Sequence, residues 1–157
     1  MELRRADWGD VVRALTLEAD LLGDGVAWSD ERARTWWDAD RVIAFAIEDD
    51  DRLCGYASAM QLSGESYQAI IDGRLDPEHL ELGDEPAAFY WVGIVIVDPA
   101  YQGCGIGTRL LSSLLGERAG QYVADVYSPG GKALVERLGW IQVQSGEHPV
   151  YVTVSSE

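Results

Sequence analysis

Val95-Ile96-Val97-Asp98-Pro99-Ala100-Tyr101-Gln102-Gly103-Cys104-Gly105-Ile106-Gly107-Thr108-Arg109-Leu110-Leu111 joins an uncharged β-type segment to an amphipathic helical one through three glycines spaced two apart. Glycine allows backbone conformations closed to other residues and lets a ligand approach without interference from a Cβ. The first N–H groups of the helix that follows have no acceptor within it and sit at its positive end. Strand, glycine loop and helix start together make a cradle for phosphate. Spacing excludes two familiar relatives of this motif. A P-loop needs Gly-Lys-Ser/Thr, whereas Gly107 is followed by Thr108 and Arg109. A dinucleotide fingerprint begun at Gly103 or Gly105 needs glycine at 108 or 110, where Thr108 and Leu110 stand.

The remaining elements are read outward from that loop. Upstream, the charge-free run Phe89–Val97 predicts a central strand buried on both faces. Arg41–Glu48 and Leu53–Leu62 flank the turn Asp49-Asp50-Asp51-Arg52 as a β-hairpin. Glu2–Ala6 reads as an edge strand, and Asp7 as the cap of a helix carrying Val11, Val12, Leu15, Leu21 and Leu22. Gly23-Asp24-Gly25 ends that helix, and Ser29-Asp30-Glu31-Arg32 opens a second one through Trp36-Trp37. Ser63–Ala88 fits neither period and is read as a surface insertion or lid, with a short helix near Tyr67–Leu75. Downstream come a helix from Thr108 to about Ala119, a strand Tyr122–Tyr127, and a helix opened by Ser128-Pro129 and closed by Gly139. Trp140–Gln144 and Val150–Val154 finish the order as a hairpin. The fold class expected is α/β (α+β): a mixed, mostly antiparallel central sheet of about six to seven strands flanked by helices.

Composition narrows the partners. The 157 residues are 47% hydrophobic, enough for a buried core, and residues 1–157 are expected to form a single domain. Twelve basic residues against 27 acidic ones give a net charge of −15, so no basic footprint exists for nucleic acid or an anionic membrane surface. Eleven of the basic residues are Arg and one is Lys132. Acidic, Lys-poor chains suit a halophilic, high-salt cytoplasm, although a GC-rich genome produces a similar bias. Two cysteines, Cys54 and Cys104, do not make a disulfide framework. The start Met1-Glu2-Leu3-Arg4-Arg5 has no signal-peptide character, and no apolar run approaches the roughly 20 residues of a membrane span. A cytoplasmic protein is expected, with no metal site.

The glycine loop, the strand with Val97-x-Pro99 before it and Leu110-Leu111 after it resemble the GNAT superfamily of N-acetyltransferases. The family's pyrophosphate loop, Gln/Arg-x-x-Gly-x-Gly/Ala, stands here as Gln102-Gly103-Cys104-Gly105-Ile106-Gly107. Ser128, Gly131, Leu134, Val135, Arg137, Gly139 and Trp140 stand on the family's C-terminal pattern Asn-x-x-Ala-x-x-Leu-Tyr-x-Lys-x-Gly-Phe. The resemblance implies acetyl-CoA or a related acyl-CoA as cofactor. It implies pyrophosphate on the backbone N–H groups of Gly103, Cys104, Gly105, Ile106, Gly107 and Thr108, beside Gln102. It further implies a pantetheine arm paired with Val95, Ile96 and Val97, with an N–H near Val97 as oxyanion donor. Ser128 replaces an Asn that contacts the pantetheine arm in the family, and its alternative role is to cap the helix. Arg109 and Lys132 are further candidates for the phosphates.

Attack on a thioester needs a neutral amine, whereas a free alkylamine has a pKa near ~10.4, so a base is expected. Phe89–Val97 carries no carboxylate, which leaves Glu85 or Asp84 before it and Asp125 in the next strand. His79 and His148 are bases by intrinsic pKa. In the family a Tyr on the last helix protonates the departing thiolate; that position is Val135 here, and Tyr127 is the nearest substitute. Trp28, Trp36, Trp37, Tyr67, Tyr90 and Trp91 fall in segments that surround the acceptor in the family, as core, lid or acceptor contacts. The expected activity is acetyl transfer to a primary amine on a small molecule, a protein N-terminus or a lysine, with a homodimer left open. The alternative is a non-catalytic acyl-CoA-binding module of the same fold.

Overall fold

Strand β1 (Glu2–Arg5) leads to helices α1 (Trp8–Leu22) and α2 (Asp30–Asp38), then to strands β2 (Val42–Asp49) and β3 (Arg52–Leu62). Helix α3 (Gly64–Ile71), strand β4 (Phe89–Val97), helix α4 (Ile106–Glu117) and strand β5 (Gln121–Asp125) follow. Helix α5 (Pro129–Arg137) and strands β6 (Ile141–Gln144) and β7 (Val150–Val152) complete the order. The computed structural model describes residues 1–22, 30–74, 79–83 and 89–153. The strands form one seven-stranded sheet in the order β1-β2-β3-β4-β5-β7-β6, with β4 in the middle. β1 and β2, β5 and β7, and β6 and β7 pair antiparallel, while β4 and β5 are parallel. The mixed, mostly antiparallel sheet expected from the sequence is present. No helix among the described residues is long and apolar enough to cross a membrane.

The chain forms two compact units, each drawn from two separate segments: Met1–Ala59 with Ile94–Glu117, and Met60–Gly93 with Arg118–Glu157. In the first, Val11, Ala14 and Leu15 of α1 pack on Ala44 and Ala46 of β2, Leu53 and Tyr56 of β3 and Ile96 of β4. Helix α1 starts in a reciprocal cap, because Asp10 N–H donates to Asp7 Oδ1 (3.0 Å) and Asp7 N–H to Asp10 Oδ2 (2.8 Å). The Asp10 side chain is 1% exposed and also accepts from Arg4 (2.5 Å) and Arg13 (2.6 Å). Burial pushes its pKa up, but the bonds from Arg4, the Asp7 N–H and Arg13 outweigh it and hold the group at about 2. The β2–β3 hairpin turns on two residues, Asp50 (φ 47°) and Asp51 (φ 66°), both left-handed as a type I′ turn requires. One glycine of β3 sets how closely α4 lies on it: a Cβ on Gly55 would stand 2.6 Å from Ile106 and 3.0 Å from Leu110.

In the second unit, Tyr90 stacks on Tyr122 at 4.8 Å and Tyr67 meets Phe89 at 4.8 Å. Helix α3 is capped by Ser63, whose Oγ accepts from Ser66 N–H (3.2 Å), and it buries Ser66, Tyr67 and Ile70. It therefore begins at Gly64, earlier than the Tyr67 expected, and part of the Ser63–Ala88 segment is packed inside this unit. Leu62 pairs with Leu82, and Ser63 N–H and Gly83 N–H bond Glu81 and Gln61 carbonyls (3.0 Å each). Strand β4 has the bounds read from the sequence, but its burial is uneven. Tyr90, Trp91, Val92 and Ile96 are buried, whereas Gly93, Ile94, Val95 and Val97 are only half-buried. The expectation of two fully covered faces holds for its first half and fails for its second.

Candidate functional site

The end of β4 is tied to the hairpin before it turns into the loop. Asp98 N–H donates to the Cys54 carbonyl (2.8 Å), and Asp98 Oδ1 accepts from Ala100 N–H (2.9 Å). Its Oδ2 accepts from Arg52 Nη2 (2.9 Å) and Nε (3.2 Å), and the Arg52 guanidinium lies over the Tyr101 ring at 5.3 Å. The Ala100 N–H and Arg52 hold the Asp98 carboxyl below the usual carboxylate range. Tyr101 OH donates to Asp49 Oδ2 (3.3 Å). Both sides of the β2–β3 turn therefore fasten the 3-10 turn Pro99–Tyr101 that precedes the glycines.

The loop itself stands open. Gln102, Gly103, Cys104 and Gly105 are exposed. Gly103 (φ 84°) and Gly105 (φ 76°) adopt the left-handed region, and a Cβ built on either meets nothing within 4 Å. Helical bonding in α4 begins with Arg109 N–H to the Gly105 carbonyl (3.1 Å), so the N–H groups of Ile106 and Gly107 have no acceptor within the helix. No acidic residue stands in the first turn of α4 to compete with an anion there. Ile106 is buried, which anchors the helix start from behind, while Gly107 and Thr108 are half-buried and Arg109 is exposed. A phosphate fits this arrangement of open space, N–H groups without a helical acceptor and a positive helix end.

In the second unit, three residues singled out above follow one another from the end of β5. Asp125 Oδ1 accepts from the indole N–H of Trp91 (2.7 Å). Tyr127 is 42% exposed, and its ring stacks on His148 at 4.0 Å. Ser128 caps α5, its Oγ accepting from Gly131 N–H at 3.0 Å, so the capping role read for it is filled. Val135 is buried, 4% exposed, where the family pattern has its Tyr, and Lys132 is exposed. Trp36 is a core residue, and Trp37 packs on Trp8 at 6.1 Å with Arg34 over the Trp8 ring at 4.7 Å. His79 is exposed. Glu85, Asp84 and Trp28 lie outside the described residues.

A central strand opening at its end into a left-handed glycine loop and a bare helix start, in a sheet of this order, defines the acyl-CoA N-acyltransferase fold. The chain belongs to the acetyltransferase (GNAT) family, whose pattern matches residues 10–140. Its fold is shared with Arabidopsis thaliana NAA60 in complex with acetyl-CoA, at 15% identity over 96% of this chain and 95% of that one, TM-score 0.69. It is also shared with the ribosomal-protein-S18-alanine N-acetyltransferase from Escherichia coli, at 16% identity over 96% and 90%, TM-score 0.64. A third likeness is to aminoglycoside 6'-acetyltransferase type Ii, at 17% identity over 98% and 96%, TM-score 0.63. No curated protein matches the sequence.

Proposed function

We propose that the chain is an acetyl-CoA-dependent N-acetyltransferase that moves an acetyl group to a primary amine by direct attack on the thioester. The observation that carries this reading is the cradle at Gly103–Thr108, with two left-handed glycines over open space and a helix start with no acidic residue in its first turn. Bound acetyl-CoA supplies an acyl group already activated as a thioester, which the protein has only to place and polarise. Gln102 and the N–H groups of Gly103, Cys104, Gly105, Ile106, Gly107 and Thr108 hold the pyrophosphate, with Arg109 and Lys132 as further cations. Val95, Ile96 and Val97, the half-open end of β4, offer backbone groups to the pantetheine arm, and the Val97 N–H serves as oxyanion donor. Ser128 keeps its hydroxyl on the helix cap. Glu85 takes one proton from the ammonium so that the nitrogen lone pair can form the new C–N bond, and the nitrogen gives up a second proton to water as the amide forms. As the C–S bond breaks, Tyr127 gives its phenolic proton to the departing sulfur; an exposed phenol can be reprotonated from water.

The solved relatives named above act, by their descriptions, on a ribosomal protein alanine and on an aminoglycoside, so the fold hosts both peptide and small-molecule amines. A second reading, an acyl-CoA-binding module without catalysis, is favoured by the buried Val135 in place of the family's Tyr. Calorimetry with acetyl-CoA tests the cradle, and thiol release across a panel of peptide and small amines tests transfer. Saturable binding with release for at least one amine is expected, with Tyr127→Phe lowering kcat by about 10²–10⁴-fold. Binding without any release supports the module, and no binding removes both readings.

A further inference from the structure

Trp91 is buried, 6% exposed, and its indole N–H reaches Asp125 Oδ1 at 2.7 Å. An indole N–H out of water needs an acceptor, and a carboxylate makes that bond charge-assisted. The two residues are not directly opposed in the sheet. Trp91 stands opposite Val123, and that is the last pair of the β4–β5 register, which starts at Phe89–Gln121. On its other side β5 keeps its register with β7 through Asp125–Val150. The end of β5 is thus held by backbone pairing toward β7 and by a side-chain bond toward β4. Gly93 leaves room beside the indole, since a Cβ there would lie 2.3 Å from Met60 Cε and 3.7 Å from the Trp91 ring. Residues Val126, Tyr127 and Ser128 leave for α5 directly from this tethered end.

We propose that Asp125 is a positioning residue: its carboxylate fixes the Trp91 indole and so sets where β5 delivers Tyr127, and it takes no proton from the acceptor amine. A general base must keep an oxygen for the amine or its water; Oδ1 here is engaged by the indole N–H, and the tether it makes is the role the geometry gives this carboxylate. The activity arm of the test rests on the acetyltransferase reading; a spectroscopic arm does not. Asp125→Asn keeps an Oδ1 acceptor and removes the charge, so kcat, KM and the pH profile should stay within about twofold, a conservative rescue that a base does not allow. Asp125→Ala should lower kcat about tenfold with the pH profile unchanged, as expected for a displaced rather than deleted chemical group. Trp91→Phe should match it, and the double variant should fall no further. In 15N-labelled protein the indole N–H signal missing from Trp91→Phe should be protected from exchange in the wild type and Asp125→Asn and unprotected in Asp125→Ala. Loss of activity by Asp125→Asn with the indole still protected overturns the proposal in favour of a base. Protection that survives Asp125→Ala overturns it as well. If the wild type neither binds acetyl-CoA nor releases thiol, the acetyltransferase reading fails and the exchange data alone decide the tether.

Discussion

Asp10 is a single carboxylate on which a helix start, two guanidinium groups and a strand-end glutamate converge, since Arg4 and Arg13 also reach Glu48. Its folded pKa of about 2 lies below the ordinary carboxyl value of 3.8. A group depressed in this way contributes stability above its unfolded pKa and loses it as the pH falls through its folded one. Asp10→Asn should therefore destabilise the protein by about 2 kcal/mol at pH 7. The gap to the wild type should narrow between pH 4 and pH 2, as followed by urea denaturation at fixed salt. Asp7 was legible as a cap because its type and place announce one. The role of Asp10 was not, because although Arg13 stands at a local i,i+3 spacing, Arg4 comes from β1 and Glu48, which both arginines also reach, from the end of β2. Trp91 and Asp125, 34 positions apart, were hidden for the same reason.

Among elements, the run from β4 to α4 was the most legible, because strand composition and glycine spacing each have a local physical cause. The helix nevertheless starts at Ile106 rather than Thr108, since a first-turn residue such as Gly107 needs no helical acceptor for its N–H. Two glycines in this region look alike in their surroundings and should respond oppositely. Neither Gly105 nor Gly116 has anything within 4 Å of a built Cβ, but only Gly105 is left-handed, at φ 76°. Gly105→Ala should cost about 1–2 kcal/mol and weaken acetyl-CoA binding about tenfold by turning the N–H groups away. Gly116→Ala, in the last turn of α4, should raise stability by about 0.5–1 kcal/mol and leave binding unchanged. Thermal denaturation and calorimetry on the two variants give the comparison. Helix α3 escaped an accurate reading because its eight residues are held by burial of Tyr67 and Ile70 and by Phe89, contacts that a short periodicity does not display.

For the whole molecule, charge is the property that most constrains binding. A chain at −15 that holds a polyanion does so against its own field, so the favourable contribution must act at contact range. The Debye length falls from about 8 Å at physiological salt to about 3 Å at 1 M, so distant carboxylates are screened before the N–H groups of the loop are. Affinity for acetyl-CoA should hold or rise as KCl increases in calorimetric titrations; steady weakening would show that long-range attraction by Arg109 and Lys132 dominates instead.

The interleaving of the two units bears on how the protein is made. Each unit combines an early and a late segment, because β3 leaves the first unit for the second and β4 returns. A ribosome must therefore emit residue 117 before the first unit has all its parts, and the strands of the second wait for β7. Neither is a contiguous stretch that can be cut out and expressed alone. Formation is governed by non-local pairing, the slow kind, and β3 is complete by residue 62 while β4, β5 and the last hairpin are still to be made. The strand that ends at the cradle gains its parallel partner only when β5, residues 121–125, has followed it out.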